Sequence, residues 1–339
     1  SGGLIAAHDA LTARTTTFTN TRGTVGSVAD ALTLTTTDFD NAGGALSAAR
    51  LSLDTQGHRL LNSNGQIVTG HGTLLVHSGA LHNDTGVIQS AGALTLDASD
   101  VSTAGTLYAL GDLNLNASGT FANAGTVAST TNARISAAAL TWTSTGAFAA
   151  GLAPDGSLGA SGNLDLSASL GLTGSGQTLS GGDQTLRAAQ IDLSGARLSG
   201  RAVTLAADAA DLTLSDATVS AREALSLNAA QTLRTDRAQL SADQLHLSAH
   251  DLSNRQGQIL QLGAGDLTLQ LPGTLDNRDG RIATNSRNVT LSAATLDTTA
   301  GTLQHAGAGT FSLAADTFTA AGATLQSNGT LDLLAQRLS

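Results

Sequence analysis

Apolar and polar residues alternate with a period of two in short segments along most of this chain. An aliphatic or aromatic residue, one polar residue and a second aliphatic residue recur about every 20 residues. Examples of such pairs are Leu32/Leu34, Leu94/Leu96, Leu225/Leu227, Leu267/Leu269 and Phe311/Leu313. Nothing recurs at three or four residues, and the intervening Thr, Ser, Gly and Asn are poor helix formers. The pattern therefore predicts short β-strands, each with one buried face.

Four sets of positions recur at one constant spacing in the first quarter of the chain. They are Leu11, Leu32, Leu53 and Leu74; Phe18, Phe39, Leu60 and Leu81; Asn20, Asn41, Asn62 and Asn83; and Val25, Leu46, Ile67 and Ile88. About 20 residues cannot bury a core of their own, so each repeat must be one turn of a stack. We predict an all-β parallel β-helix, a solenoid of roughly 15 coils of about 19–23 residues.

The regularity of the repeat divides the predicted solenoid, a single domain over residues 1–339, into four stretches. Residues 1–139 carry a regular Asn-x-x-Gly corner, in which Gly supplies the sharp turn. Residues 140–182 form an irregular coil with an oversize loop. Residues 183–243 keep the inward strand but lack the Asn corner, and residues 244–339 are regular again.

The recurring asparagines are interpreted as a structural ladder. Asn20, Asn41, Asn62 and Asn83 each lie two residues after an apolar position, so their side chains point inward with it. Buried amides must be paired, and amides stacked on successive coils can bond to one another. We expect them to stabilise the coils and not to bind a ligand.

Composition excludes several classes of function. The formal net charge of −10 argues against nucleic acid as a partner, and no apolar run is long enough for membrane insertion. The absence of cysteine excludes disulfides and thiolate metal sites. His58, His71, His77 and His82 are close in sequence but match no metal-ligand spacing, so no metal or other cofactor is expected.

An enzymatic β-helix is the alternative from another class. It requires carboxylates on neighbouring coils beside basic and aromatic residues. The highest local concentration is Asp276, Arg278, Asp279, Arg281 and Arg287. Asp279 lies at a predicted corner, where Asp is favoured for turn geometry alone. Because no aromatic residue is near, the chain is not expected to be an enzyme.

The irregular coil contains the candidate recognition loop, which spans residues 146–162. Its candidate residues are Trp142, Phe148, Pro154 and Asp155. Pro154 cannot donate to a strand ladder and is therefore expected in a loop or at an edge. A pure spacer has no need of a tryptophan and an oversize loop, although one irregular coil can also absorb a change of register.

The chain resembles the haemagglutinin repeats of filamentous haemagglutinin-like proteins, which are large bacterial exoproteins exported by two-partner secretion. The residues that carry the resemblance are units such as Leu275-x-Asn277-x-x-Gly280-x-Ile282, which follows the pair Leu267/Leu269. The resemblance implies a right-handed β-helix, in line with the general preference for right-handed crossovers. It also implies an outer-membrane two-partner secretion transporter as partner, and a chain that is a fragment of a longer shaft.

These observations together predict a structural filament shaft of a secreted exoprotein at the bacterial surface, involved in adhesion or cell–cell contact. The same shaft occurs in adhesins and in contact-dependent growth inhibition effectors. The alternative is a segment that itself binds a receptor or glycan on a host cell or another bacterium. A polysaccharide-degrading enzyme is the least favoured interpretation.

Overall fold

The computed structural model describes residues 2–339, which form 41 β-strands and no helix. That part of the chain accordingly holds no helix of the length and hydropathy that a membrane crossing requires. Two compact units are present. The first runs through Ser169 and includes Gly176–Asp183, and the second comprises Leu170–Ser175 and Gln184–Ser339. The strand Leu164–Gly174 contributes to both units.

The strands are short, with bounds as follows. The strands up to residue 180 are β1 (Leu4–Ala7), β2 (Leu11–Arg14), β3 (Thr17–Thr19), β4 (Thr24–Ser27), β5 (Ala31–Thr35), β6 (Asp38–Asp40), β7 (Ala45–Ala48), β8 (Arg50–Asp54), β9 (Leu60–Leu61), β10 (Gln66–Thr69), β11 (Leu74–His77), β12 (Ala80–Asn83), β13 (Val87–Ser90), β14 (Leu94–Ala98), β15 (Asp100–Thr103), β16 (Thr106–Ala109), β17 (Leu113–Ala117), β18 (Thr120–Asn123), β19 (Thr126–Ser129), β20 (Ala133–Trp142), β21 (Ala147–Ala150), β22 (Leu164–Gly174) and β23 (Gln177–Ser180). The later strands are β24 (Gln184–Asp192), β25 (Arg197–Gly200), β26 (Val203–Ala207), β27 (Leu212–Thr213), β28 (Thr218–Ala221), β29 (Ala224–Ala229), β30 (Thr232–Arg234), β31 (Gln239–Ala242), β32 (Gln244–Ser248), β33 (Asp251–Ser253), β34 (Gln258–Gln261), β35 (Leu267–Asp276), β36 (Arg281–Thr284), β37 (Val289–Asp297), β38 (Thr302–His305), β39 (Thr310–Thr319), β40 (Thr324–Ser327) and β41 (Thr330–Leu338).

Each unit is a parallel β-solenoid. Every coil contributes one strand to sheet 1 and either two short strands or one longer strand to sheet 2. In the first unit the sheet 1 strands are β1, β4, β7, β10, β13, β16, β19, β21 and β23. In the second unit they are β25, β28, β31, β34, β36, β38 and β40. Nine turns in one unit and seven in the other give sixteen, which confirms the predicted fold of roughly 15 coils.

The strand register confirms three of the four recurring sets and corrects the fourth. Leu32 lies beside Leu51, and Leu51 lies beside Leu74, so Leu53 does not belong to their column. Leu53 instead pairs with Leu34 and Val76. The step from Leu32 to Leu51 is shorter than the step from Leu51 to Leu74, because successive coils differ in the length of their corners. A strictly constant step therefore assigns Leu53 to the wrong column.

The core of each unit is a continuous aliphatic interior. Alternate residues of each strand point inward, as the burial of Leu94 and Leu96 on either side of the half-buried Thr95 shows. At the bend of sheet 2 the inward residue is usually alanine, as at Ala188, Ala207 and Ala229, because the strand changes direction there. Each coil covers the apolar face of the next one, which no single coil could do alone.

In many coils the corner after the sheet 2 strand has a positive φ at the residue just before its glycine or alanine. Non-glycine residues adopt this angle at Asn64 (54°), Thr85 (53°), Asp216 (60°), Gln256 (56°) and Asp279 (55°). A left-handed conformation at a non-glycine residue is uncommon. Its recurrence shows that the corner keeps one backbone geometry while its sequence varies. The division of the solenoid into the four sequence stretches stays a prediction.

Candidate functional site

The recurring asparagines form a row of hydrogen-bonded amides inside the first unit. The Nδ2 of Asn20 donates to Oδ1 of Asn41 at 2.8 Å, Asn41 donates to Asn62 at 2.7 Å, and Asn62 donates to Asn83 at 2.8 Å. Asn83 donates in turn to the hydroxyl of Thr103 at 3.2 Å. All are buried, with second bonds from Nδ2 to backbone carbonyls. The row cannot contact a partner and holds adjacent coils together.

The glycine of the Asn-x-x-Gly corner is required by the asparagine that precedes it. A Cβ atom at Gly65 would lie 2.5 Å from Oδ1 of Asn62 and 2.3 Å from the carbonyl oxygen of Asn41. Gly44 and Gly86 have the same contacts one coil away. The amide therefore occupies the space that any side chain at this position would need. Asparagine and glycine recur together for this steric reason.

The column of the asparagine ladder continues with other residues in later coils. Trp142 lies beside Asn123 in the register, and the buried Leu193 and Leu214 occupy the column in the second unit. The corner glycine is there replaced by a buried alanine, at Ala196 and Ala217. The amide row resumes at Asn254, which donates to Asn277 at 2.7 Å. In the stretch predicted to lack the Asn corner, the column is apolar at Leu193 and Leu214 and then carries Thr235, whose hydroxyl donates to Oδ1 of Asn254 at 2.9 Å.

Two of the four candidate recognition residues belong to the core. Trp142 is 4% exposed and ends β20, while Phe148 is wholly buried in β21. Their rings meet edge to face with centroids 5.5 Å apart. Neither side chain can contact a partner at the surface, which corrects their assignment to a recognition surface. The sequence pattern placed them in a loop because the insertion that follows obscures the strand.

The inserted segment is a hairpin over residues 151–163. Leu152 and Leu158 form an antiparallel bridge, and the backbone N–H of Ala153 donates to the carbonyl of Ser157 at 2.8 Å. Pro154 and Asp155 lie at its tip, and both are exposed. Oδ1 of Asp155 accepts bonds from the hydroxyl and the backbone N–H of Ser157, and these bonds lower the pKa of the Asp155 carboxyl. The tip is therefore an ordered turn that presents both of the remaining candidates to solvent.

The hairpin is fixed to the outer face of sheet 1. Leu152 packs on a small apolar cluster formed by the outward residues Tyr108, Ala128, Ala149 and Leu179. The hydroxyl of Tyr108 donates to the carbonyl oxygen of Leu152 at 2.8 Å. The base of the hairpin is thus anchored by packing and by a hydrogen bond that spans two coils, while its tip extends into solvent.

Asp276, one of the charged candidates for catalysis, is held between two arginines. Asp276, only 8% exposed, accepts bonds from Nε of Arg255 at 2.6 Å and from Nε of Arg278 at 2.9 Å. Burial alone would raise the pKa of the Asp276 carboxyl, but the two guanidiniums lower it below its ordinary value. Such a carboxylate stays ionised and has no free acid to donate. Its chemistry is that of a cross-coil ion pair.

The histidines of the first unit do not converge. His77 lies on the outer face of sheet 2 and His82 on a different strand of the same coil. Across residues 2–339, no group of three His, Cys, Asp or Glu side chains is arranged to hold a metal ion.

Comparison with known proteins shows the family. A family model described as haemagglutinin repeat matches residues 89–150, 149–216, 198–270 and 262–335. The chain belongs to the haemagglutinin-repeat family. It is also similar to a protein named "Toxin CdiA" from Yersinia pestis, with 36% identity over 247 residues, or 72% of this chain. The matched stretch is 7% of that relative's length, and no solved structure matches the chain.

This haemagglutinin-repeat chain contains a second side-chain ladder that sequence reasoning missed. Oδ1 of Asp112 accepts the backbone N–H of Asn132 at 3.2 Å, Oδ1 of Asn132 accepts that of Asn163 at 3.0 Å, and Oδ1 of Asn163 accepts that of Asp183 at 2.9 Å. These side chains are on the surface, just before the sheet 2 strands. Their signal in the sequence is an Asp or Asn immediately before the apolar pair, but the spacing varies too much to form an obvious column.

Proposed function

We propose that this chain is a segment of the structural shaft of a large secreted bacterial exoprotein, displayed at the cell surface and exported through an outer-membrane two-partner secretion transporter. Membership of the haemagglutinin-repeat family and similarity to a protein named as a CdiA toxin support this function. The observation that carries it is the coil-by-coil bonding: the strands and the buried amides of a coil bond to the adjacent coils, so coils can be added without a new kind of contact.

The contacts of the polar residues support a shaft over an enzyme. Buried polar side chains bond along the coil stack, and the least exposed of the acidic catalytic candidates, Asp276, is neutralised by two arginines. A general acid needs a carboxyl that can hold a proton near neutral pH, which the lowered pKa of Asp276 opposes. The shaft therefore serves as a spacer in adhesion or cell–cell contact, as in adhesins or contact-dependent growth inhibition effectors.

A second candidate function is recognition of a receptor or glycan on another cell by the tip of the hairpin. The observation that favours it is the solvent exposure of Asp155, beside Pro154, on a turn whose base is anchored by Tyr108. An ordered tip loses little conformational entropy on binding. The tip alone remains as the candidate surface, because Trp142 and Phe148 are buried.

Binding of the labelled, purified chain to epithelial cells and to other bacteria separates the two functions. The shaft function predicts no saturable binding by the folded chain. Recognition predicts saturable binding that unlabelled chain displaces and that Asp155→Ala weakens, while the control Asp84→Ala, at an exposed corner, leaves it unchanged. Deletion of residues 146–162 is unsuitable because it would remove β21 and Phe148 from the core.

A further inference from the structure

The second unit has an open groove on the outer face of sheet 1. The groove has a volume of about 230 Å³ and is lined by Leu260, Leu262, Arg281, Ala283, Asn285 and Gln304, among others. Leu260, Ala283 and Gln304 are the third residues of β34, β36 and β38. Leu260 and Ala283 make up the apolar floor of the groove, beside the polar Gln304, and Leu262 at its edge is 54% exposed.

The same strand position is covered in the first unit. Tyr108, Ala128 and Ala149 are the third residues of β16, β19 and β21, and Leu152 of the hairpin packs on them. In the first unit this face of sheet 1 thus packs against a leucine of the hairpin. In the groove of the second unit no segment within residues 2–339 fills that role, and the apolar floor is open.

The groove also carries a positive charge, that of Arg281, which forms no ion pair within the described chain. Arg281 donates from Nη2 to Oε1 of Gln304 at 2.8 Å. The hairpin carries the complementary features, at Asp155 on its tip and at Leu158, the bridge partner of Leu152. Leu158 is 38% exposed, and Oδ2 of the exposed Asp155 has no protein partner in residues 2–339. An exposed leucine and a carboxylate three residues apart match an apolar floor beside an arginine.

We propose that the hairpin tip of one copy of this chain docks into the groove of a second copy, with Leu158 against Leu260 and Leu262 and Asp155 paired with Arg281. The two surfaces differ, so the contact is heterologous: in a docked pair one copy keeps its groove free and the other keeps its hairpin free for further copies. Shafts would in this way associate with one another. The proposal is independent of whether the shaft is a passive spacer.

The association is expected to be weak. One hairpin tip buries far less than a standard interface, so we expect a Kd on the order of 0.1 mM. Sedimentation velocity of the full 339-residue chain, up to about 1 mM, covers that range. Raising the salt concentration should weaken the association, because part of it is an exposed ion pair.

Charge exchange gives the sharpest test. Arg281→Asp leaves the hairpin untouched and should weaken self-association about tenfold, because two carboxylates would then face each other. Asp155→Asn keeps the acceptor for Ser157, removes only the charge, and should weaken it by a smaller factor. The double variant Asp155→Arg/Arg281→Asp should recover the parent value. An equal mixture of the single variants Asp155→Arg and Arg281→Asp should recover most of the association that each variant loses alone. Matched controls with the same changes in net charge are Asp84→Arg and Arg59→Asp, both at exposed sites.

Each outcome decides the proposal. A parent chain that stays monomeric over the whole concentration range overturns it, and the groove then binds a different partner or none. Association that Arg281→Asp and Asp155→Asn leave unchanged also overturns it, because the interface lies elsewhere. Association that both variants weaken, and that the mixture of charge-reversed variants restores, supports it.

Discussion

Replacement of Asn62 by leucine tests the asparagine ladder most directly. Asn62 accepts a hydrogen bond from Asn41 at 2.7 Å and donates to Asn83 at 2.8 Å, with longer bonds of 3.3 Å to the carbonyls of Gly65 and Val87. Leucine removes all four. Asn41 keeps its bonds to the carbonyls of Gly44 and Gln66, but Oδ1 of Asn83 is left buried without its amide donor.

The expected loss of stability follows from these contacts. Two short amide–amide bonds contribute roughly 1 kcal/mol each, and a buried acceptor without a donor costs about 1–3 kcal/mol. Leucine offsets part of this because it no longer requires the burial of an amide. The net destabilisation should therefore be about 3 kcal/mol, confined to the neighbouring coils because each coil contacts only its neighbours.

Native-state hydrogen exchange is the appropriate assay, because unfolding of a long solenoid need not be two-state. Amides between residues 41 and 87 should exchange about a hundredfold faster in Asn62→Leu, since about 1.4 kcal/mol corresponds to a factor of ten. Fluorescence of Trp142, the single tryptophan, should be unchanged under native conditions. The matched control is Asn114→Leu on the exposed face of β17, which should alter stability by less than about 0.5 kcal/mol.

An Asn62→Leu variant whose amides exchange at the rate of the Asn114→Leu control would refute a stabilising role for the ladder. A second variant, Asn62→Asp, keeps the shape and the acceptor for Asn41 but loses the donor for Asn83. It should be more destabilised at neutral pH than in acid, because a protonated carboxyl can donate to Asn83 and a carboxylate cannot. Equal stability at both pH values would show that the donor is unimportant.

Three further predictions concern the corner glycine, the buried carboxylate and the modular coil. Gly65→Ala should destabilise the chain by about 2 kcal/mol or more in thermal unfolding, because its Cβ would lie 2.3 Å from a backbone oxygen. The control Gly70→Ala should be near neutral, because the nearest backbone oxygen to its Cβ would be 3.8 Å away. Equal effects of the two substitutions would contradict the steric account. The folded-state pKa of Asp276 is lowered, so the stability that its carboxylate contributes is present above the ordinary aspartate pKa and is lost as pH falls through the folded-state pKa. Asp276→Asn should therefore lower the free energy of unfolding by about 2 kcal/mol at neutral pH and make it depend less on pH in acid. An unchanged dependence of stability on pH would contradict this. Removal of residues 46–66, one whole coil, should leave a chain that is folded by circular dichroism, because Ala45 and Gln66 are register partners. Removal of residues 46–55, which is only part of a coil, should not leave a folded chain. Similar folding of both deletion variants would contradict the modularity of the coils.

The sequence predicted the fold because its signals are periodic. Leu-x-Leu pairs and Asn-x-x-Gly corners repeat often enough that the strand, the turn and the stacked architecture can each be inferred from physical rules. The assignment of Leu53 to its column was wrong because two adjacent coils differ in corner length in opposite directions, with a short step from Leu32 to Leu51 followed by a long one. A mean period cannot reveal such compensating differences.

The candidate surface was harder to predict because burial in an irregular coil depends on what the insertion covers. Trp142 and Phe148 looked like loop residues beside Pro154, yet they continue the inward alternation of β20 and β21. Tyr108, which anchors the hairpin, lies 44 residues before Leu152. No local pattern connects the two, since the contact arises only after the coils are stacked.

The asparagine ladder is one of several ways in which side chains join the coils of this chain. In residues 184–243, where Leu193 and Leu214 replace the amides, four ion pairs link successive coils: Arg187–Asp208, Arg201–Glu223, Arg234–Asp211 and Arg237–Asp216. In the ladder coils of residues 20–123, one comparable pair is present within the described chain, Arg50–Asp30. An apolar column tolerates a slip in register, whereas amides and opposite charges bond in one alignment only.

Exposed ion pairs contribute only about 0.2–1 kcal/mol each, so their role in residues 184–243 is to fix register more than to add stability. Salt should therefore separate the two regions. At about 1 M salt, where charges are screened beyond roughly 3 Å, amides in residues 184–243 should exchange about two- to threefold faster, while those in residues 41–87 should not change. Equal effects in both regions would mean that the ion pairs do not contribute to joining the coils. An effect confined to residues 184–243 would show that surface charges align the coils in the region that lacks the buried amides.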